Sequence, residues 1–269
     1  LKPKGRAALV MANSASDARH SEADIRKNLI KGGVIDIMLT LPKNMFYTVT
    51  LPATLWFFDK SKTTVKESER KVLFIDARNI FRQIDRAHRE FTEEHIQNIA
   101  TIVRLYRGET RRLKTLLKHY EKQAADFEGK VKVQSKEVSK VSKAKPDDEK
   151  EQKRWEKQVE EAEKKLKEVI DRQHYFENHI TWLNDRFPKG EYEDVTGLCK
   201  AATLSEIEEQ EWSLNPGRYV GVVIEEDGLT KEEFFRDMID RHKMLEGLDS
   251  KAMSLTKQIG EHFKSIIND

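Results

Sequence analysis

The sequence predicts an α/β fold, the second half of a doubly wound sheet, followed by an antiparallel coiled-coil hairpin and a long C-terminal helix. Three observations carry this. Val34–Leu41 and Leu51–Phe58 are strand-length runs, apolar at nearly every position, around a turn-rich connection. Continuous rather than alternating apolar runs mark strands covered on both faces. From Leu113 onward, apolar residues step by four and three, the seam of a coiled coil.

Composition narrows the function classes. Charged residues make up 36% of the 269-residue chain and the apolar set 38%; Lys+Arg and Asp+Glu nearly cancel at 49 and 47. Net charge therefore gives no argument for nucleic acid, and any basic surface must be a local patch. The single cysteine, Cys199, excludes an internal disulfide and a multi-cysteine metal site. No apolar run approaches the ~20 residues of a membrane span. No signal peptide is read, so a reducing cytoplasm is the expected compartment. The eight histidines have no metal-ligand spacing, and no serine or cysteine sits in a nucleophile elbow. The first residue is Leu1, and the chain runs almost at once into strand-like Ala7–Ala12, as the back part of a longer protein would.

In order, Gly5–Met11 is a strand entered from a turn, and Asn13–Ser16 is the polar loop at its end. Glu22–Lys31 is a helix with Ile25, Leu29 and Ile30 on one face, stopped by Gly32-Gly33. The Val34–Phe58 pair follows. Its connection carries Met45-Phe46-Tyr47, and the ends of such strands are where α/β proteins place chemistry. Phe46 and Tyr47 either close the end of the core or stand out of it; spacing leaves both open. Lys60–Arg70 is polar and expected to be mobile, and Lys71–Asp76 is a further strand. No glycine-rich phosphate or cofactor loop occurs in this part.

Thr92 caps a helix from Glu93 to about Tyr106. Ahead of it, Arg78, Arg82, Arg86 and Arg89 recur every three or four residues. If that piece is helical they share a face able to lie on phosphates; otherwise they are a solvated face paired with Asp85 and Glu90.

Leu113, Leu117, Tyr120, Ala124, Phe127, Val131, Gln134, Val138 and Val141 form one seam. Trp155, Val159, Ala162, Leu166, Val169, Gln173, Phe176, Ile180 and Leu183 form the other. Lys145-Pro146-Asp147-Asp148 breaks the helix between them. Folded there, Leu113 faces Leu183, Tyr120 faces Phe176 and Val141 faces Trp155, while Gln134 meets Ala162 and Gln173 meets Ala124. At ~1.5 Å per residue the arm is roughly 50 Å long. Its charge runs read as solvated coiled-coil surface, and Gly129 costs it ~1 kcal/mol.

Arg186–Gly228 is a loop-rich connector, with a capping box Ser205-x-x-Glu208 and the turn Ser213–Val220. Thr230 and Glu233 form the capping box of the last helix. That helix repeats Phe234, Met238, Leu245, Leu248, Ala252, Leu255, Ile259 and Ile266 on four/three steps, with Arg241 and His262 interrupting. The expected division is 1–108 (α/β part), 109–185 (hairpin), 186–228 (connector) and 229–269 (C-terminal helix).

Gly5-Arg6-Ala7-Ala8-Leu9-Val10, Ile25-Arg26-Lys27-Asn28-Leu29, Leu41-Pro42-Lys43-Asn44-Met45-Phe46-Tyr47, Leu51-Pro52, Leu55-Trp56-Phe57, Leu73-Phe74-Ile75-Asp76-Ala77, Asp194–Lys200 and Ser213–Val220 occur in that order. Together they resemble the C-terminal half of the modification (M) subunit of type I restriction–modification systems, an adenine-N6 DNA methyltransferase that uses S-adenosylmethionine. The resemblance implies the second half of a Rossmann-like methyltransferase sheet. It implies double-stranded DNA, a specificity (S) subunit and a restriction (R) subunit as partners, and no membrane. The family's cofactor glycine motif and Asn-Pro-Pro-aromatic motif lie upstream and do not occur here, so no catalytic residue or metal site is expected in this chain. S-adenosylmethionine is expected to bind the intact parent and this chain poorly. Phe46 and Tyr47 match the aromatic that stacks on the flipped adenine. Thr48-Val49-Thr50 stands where many members carry glycines. Arg78, Arg82, Arg86 and Arg89 remain candidates for the DNA backbone. Phe234, Met238, Leu245, Leu248, Leu255 and Ile259 are the candidate subunit interface. The competing expectation is a non-enzymatic coiled-coil scaffold that holds protein partners on DNA.

Overall fold

The computed structural model describes residues 1–47, 50–146, 148–223 and 230–267. The chain forms two compact units, Leu1–Val222 and Val223–Asp269.

The first unit is built on a five-stranded sheet: β1 (Arg6–Ala12), β2 (Ile35–Thr40), β3 (Ala53–Asp59), β4 (Lys71–Asp76) and β7 (Cys199–Thr203), in the order β1-β3-β2-β4-β7. A two-stranded ribbon, β5 (Arg82–Gln83) with β6 (Arg89–Glu90), lies apart. The helices of this unit are α1 (Ser21–Lys31), α2 (Glu93–Tyr106), α3 (Arg111–Lys143), α4 (Glu149–Arg186) and α5 (Leu204–Glu209).

The sheet is mixed, which departs from a doubly wound half. Only β2 and β4 pair in parallel; β1/β3, β2/β3 and β4/β7 are antiparallel. The connection from β2 to β3, residues 41–52, forms no helix among the described residues, and β3 returns antiparallel beside β2. The apolar runs still mean what their pattern implies: all six residues of β2 are buried, as are the last five of β4.

Each face of the sheet has its own core. Ile37, Leu39, Leu73 and Ile75 pack with Ile102 and Leu105 of α2, Leu113 and Tyr120 of α3, and Leu183 and Phe187 at the end of α4. Met38, Trp56, Val72 and Phe74 pack on the other face with Ile30 of α1, Ile207 of α5, Leu214 and Tyr219. The base of the hairpin is therefore part of the layer over β2 and β4, not an appendage. Two predicted seam pairs are in contact. The rings of Tyr120 and Phe176 lie 6.0 Å apart, and the Trp155 indole donates to the Val141 carbonyl at 2.8 Å. Asp147, read as part of the break, lies outside the described residues.

Several local expectations are corrected. In α1 the buried residue beside Ile30 is Arg26, while Ile25 is exposed. The Arg26 guanidinium donates to the carbonyls of Trp212 and Ala18, both at 2.8 Å, so a charged side chain satisfies loop backbone that an isoleucine could not. Lys60–Arg70 is held rather than loose: two 3-10 turns (Lys60–Thr64 and Glu67–Glu69) are tied by Arg70, which donates to the carbonyls of Val65, Thr63 and Lys31. The short-helix box begins earlier than read, at Thr203 with Glu206. The strand β7, short and built of small residues, carried no strand signal and was read as connector. The piece holding Arg78, Arg82, Arg86 and Arg89 is not helical; it is the turn after β4 and the β5/β6 ribbon, so the shared arginine face does not exist.

The start of α2 is as read. Thr92 Oγ1 accepts from the His95 amide, and the Thr92 amide donates to His95 Nδ1 at 3.2 Å. Behind it, Asn98 donates to His179 Nδ1 at 2.9 Å and accepts from the Tyr120 hydroxyl at 3.1 Å. Burial and the neighbouring His95 push His179 down to about 4.

The second unit is α6 (Lys231–Ile267), opened by the predicted Thr230–Glu233 box. Phe234, Met238, Leu245, Leu248, Leu255 and Ile259 are all exposed along it.

β1 is an edge strand with apolar side chains in the open: Leu9, Val10 and Met11 are 51%, 60% and 37% exposed. Unprotected apolar edges of this kind invite another strand.

Two predictions follow from the packing. Gly33 has φ +66°, and a Cβ there would lie 2.8 Å from Arg70 Nη1. Gly33→Ala should cost about 1–2 kcal/mol in denaturant unfolding for the left-handed backbone alone, and less if Arg70 is also changed to Ala. His179 is depressed from its ordinary 6.5, so the unfolded chain binds more protons between about 4 and 6.5. Stability is full above pH 6.5 and falls as pH drops toward 4. The urea midpoint should fall between pH 7 and pH 5, and fall less in His179→Gln.

Candidate functional site

β2 and β4 end at the same edge of the sheet, with the loop after β1 and the N-terminal end of β3 beside them. Ligands of open α/β sheets sit at the carboxyl ends of their strands. At this edge, Thr54 Oγ1 donates to Asn13 Oδ1 at 2.8 Å. The hydroxyls of Ser16 and Thr40 are buried without a hydrogen-bond partner among the described residues. Buried hydroxyls left open in this way are points where a water or a ligand group can bind.

The loop leaving β2 carries the two aromatics. Leu41 is buried, and Met45 packs against the core below α2. Asn44 adopts φ 63°, and its carbonyl accepts from the Arg89 amide at 2.9 Å, so the β5/β6 ribbon braces the loop. Phe46 is 39% exposed and Tyr47 90% exposed, which answers the alternative that the pair closes the core: Tyr47 does not. The Tyr47 ring centroid lies 5.2 Å from that of His88 on the ribbon turn. His88 is held by Asp85 at 2.7 Å, and that hydrogen bond, with the Ala87 amide, keeps the Asp85 carboxyl below its ordinary value. Thr48 and Val49 lie outside the described residues.

The four arginines are dispersed. Arg78 chelates Asp76, with Nε 2.9 Å from Oδ1, and its raised pKa follows from that carboxylate. Arg82 is paired with Glu90. Arg89 lies 3.9 Å from the centroid of the Phe81 ring and donates to Gln83. Arg86 is exposed on the ribbon turn.

The Ser213–Val220 turn completes this edge, and its position was not legible in the sequence. Tyr219 stacks on Phe74 with centroids 3.8 Å apart, and its hydroxyl donates to the Ser213 carbonyl at 2.6 Å. A Cβ on Gly217 would lie 3.2 Å from Arg78 Nη2, so the guanidinium bridges Asp76 and the turn. Asp17, in the loop after β1, accepts from Ser213 Oγ and from Asn215 Nδ2 at 3.0 Å, with Arg218 at 3.4 Å. Burial pushes the Asp17 carboxyl up; the Ser213 and Asn215 hydrogen bonds outweigh it and leave the group below its ordinary value.

Two hollows adjoin the sheet. One, of about 370 Å³, is lined by Asp17, Arg19, His20, Arg26, Glu211 and Arg218 among others. The other, of about 490 Å³, is an apolar groove between α2 and β2/β3, with Arg6, Arg104 and Arg107 at its margin. The carboxylates nearest that groove are committed: Asp36 to Arg107 and Lys62, and Asp59 to Arg6. Among the described residues no group of histidines, cysteines and carboxylates could hold a metal ion, and no helix is long and apolar enough to cross a membrane.

The model of the N-6 DNA methylase family matches residues 1–140, from the turn before β1 into α3. The chain belongs to this family. It is similar to the MjaIX methylase subunit of a type I restriction enzyme from Methanocaldococcus jannaschii, at 27% identity over 257 residues, covering 96% of this chain and 32% of that protein. It is also similar to the HindI methylase subunit from Haemophilus influenzae, at 26% over 228 residues, 84% and 32%. The chain thus spans about a third of the length of these curated relatives. Among solved structures, a type I restriction–modification methyltransferase subunit from Streptococcus thermophilus aligns over 81% of this chain and 27% of that one, at 17% identity and a TM-score of 0.41. The EcoKI M protein aligns over 37% and 21%, at 26% identity and 0.31.

The family implies S-adenosylmethionine, and the residues present do not fit it. Its sulfonium is a cation. The polar hollow has two carboxylates, Asp17 and Glu211, against three guanidiniums, Arg19, Arg26 and Arg218, and Asp17 is already engaged by Ser213, Asn215 and Arg218; the carboxylates beside the apolar groove likewise carry cationic partners.

Asp17 is the clasp between the loop after β1 and the Ser213–Val220 turn. Asp17→Ala should cost about 1–3 kcal/mol, because Ser213 and Asn215 lose a charged acceptor, read as a lower unfolding midpoint. Asp17→Asn should recover part of that loss.

Proposed function

We propose that this chain is the C-terminal part of a type I modification subunit, whose intact parent transfers a methyl group from S-adenosylmethionine to the adenine N6 of duplex DNA. The observation that carries this reading is the Phe46–Tyr47 pair, two adjacent aromatics left partly or wholly out of the core on the loop that ends β2. In a family that acts on DNA bases, rings so placed suit stacking on a base flipped from the duplex, worth ~1–3 kcal/mol per base. Arg82, Arg86 and Arg89 on the ribbon that braces that loop, and Arg78 on the turn after β4, are the proposed contacts to the DNA backbone.

The chain alone is inactive in this reading. The methyl-donor pocket and the catalytic motif belong to the rest of the parent, in keeping with the poor fit of the residues present to a sulfonium. The open edge of β1 takes a strand of that remainder; its exposed Leu9, Val10 and Met11 support this. The row Phe234, Met238, Leu245, Leu248, Leu255 and Ile259 on α6 docks on the specificity subunit, and the restriction subunit joins the full complex. The parent works in the cytoplasm, where its DNA is. A scaffold that only holds partners on DNA is the second reading, and the exposed row of α6 favours it equally.

One experiment separates them. The parent, co-expressed with its specificity subunit, should leave N6-methyladenine in host DNA, detected by mass spectrometry after digestion. Phe46→Ala with Tyr47→Ala should lower the level by about fivefold or more, the loss of ~1–3 kcal/mol of stacking. No N6-methyladenine from a well-folded complex would leave the scaffold.

A further inference from the structure

We infer that the outer face of α3 is a binding surface for the phosphate backbone of duplex DNA. The inference rests on the reading that the parent acts on DNA, and extends it to the arm.

The seam of α3 faces α4 through Leu113, Tyr120 and Ala124, all buried. Opposite that seam a row steps by three or four residues along the whole helix. It starts with Arg111, Lys114, Lys118 and Lys122, passes Ala125 and Gly129, and ends with Lys132, Lys136, Lys140 and Lys143. All ten positions are exposed, and none is acidic. Lys132 is held by Glu128 at 2.6 Å; the other cations of the row have no carboxylate partner among the described residues.

A face that serves only solubility mixes signs, because opposite charges three or four residues apart stabilise a helix and like charges oppose it. This row places like charges four apart at Lys114/Lys118, Lys118/Lys122, Lys132/Lys136 and Lys136/Lys140. The neighbouring helix provides the comparison. The outer row of α4 runs Lys153, Lys157, Glu160, Lys164, Lys167 and Asp171, with both signs. The whole chain is nearly neutral, so a row of eight cations with no acid in it is segregation rather than a general excess of base, with the exposed Asp126 beside its middle, four residues from Lys122.

The length of the row selects a polymer over a small anion. From Arg111 to Lys143 it extends ~48 Å, the length of about fourteen base pairs. Ala125 and Gly129 sit at its middle, and nothing lies within 4 Å of the space a Cβ on Gly129 would take. A straight helix can approach a curved backbone most closely where its own side chains are shortest. That gives Gly129 a use which offsets its cost to the helix.

The test compares two variants of the full chain by anisotropy of a labelled duplex of about 30 base pairs at several salt concentrations. One carries Lys118→Gln, Lys122→Gln, Lys136→Gln and Lys140→Gln. The control carries Lys153→Gln, Lys157→Gln, Lys164→Gln and Lys167→Gln, the same change of charge on α4. Glutamine keeps helix propensity, and circular dichroism confirms the helices. The α3 variant should bind at least ~10-fold more weakly, with a salt slope flatter by about 3–4, while the control stays within ~3-fold. Equal losses in both variants, no loss in either, no binding by the unaltered chain, or tighter binding to polyglutamate than to duplex would each overturn the inference. The methyltransferase reading fails separately: N6-methyladenine made by a parent whose α3 row is neutral to DNA sinks only the row, and a parent that binds through the row yet makes none sinks only the methyltransferase.

Discussion

Burial of β2 and β4 on both faces is the constraint on which the rest of the first unit depends. Met38 and Phe74 on one side and Leu39 and Ile75 on the other are all 5% exposed or less. At ~1.5–3 kcal/mol for each fully buried side chain of this size, two covered faces are worth far more than one. Each face therefore needs a lid. The chain finds them at long range: α2 with the bases of α3 and α4 on one side, α1 with the Ser213–Val220 turn on the other. The hairpin and the turn are thus held by the same strands whose ends carry the aromatic loop.

This explains how much of the fold was legible. Val34–Leu41 was legible as a doubly buried strand because it is apolar at nearly every position, and Lys71–Asp76 was legible as a further strand. Two of the expected hairpin pairs, Tyr120 with Phe176 and Val141 with Trp155, do meet, because two seams fold onto each other from one break. Strand direction was not legible, since parallel and antiparallel strands buried on both faces have the same pattern. The strand β7 was hidden because Cys199-Lys200-Ala201-Ala202-Thr203 is short and small, and gains its place only by pairing with β4.

The site shows the same division. Phe46 and Tyr47 could be named from the sequence, but only the structure shows that Tyr47 lies outside the core, beside His88. The arginine period was misleading: a three-and-four spacing implies a face only inside a helix, and here it falls on a turn and a ribbon. Asp17, Ser213 and Asn215 were missed because their contact joins residues nearly two hundred apart. No local pattern marks such a clasp. The row on α3 was visible as charge, yet its meaning depended on knowing which side of the helix the seam leaves to solvent.

The account turns on β1 being an internal strand of a larger sheet. Hydrogen exchange on the 269-residue chain and on the longer parent tests this most directly. In the chain, β1 amides should alternate between protected, where they pair with β3, and fast, where they face the open edge, while β2 and β4 exchange slowly throughout. In the parent every β1 amide should be protected. Fast amides along β1 persisting in the folded parent would contradict the account, because the edge would then be free by nature and the sheet complete as it stands.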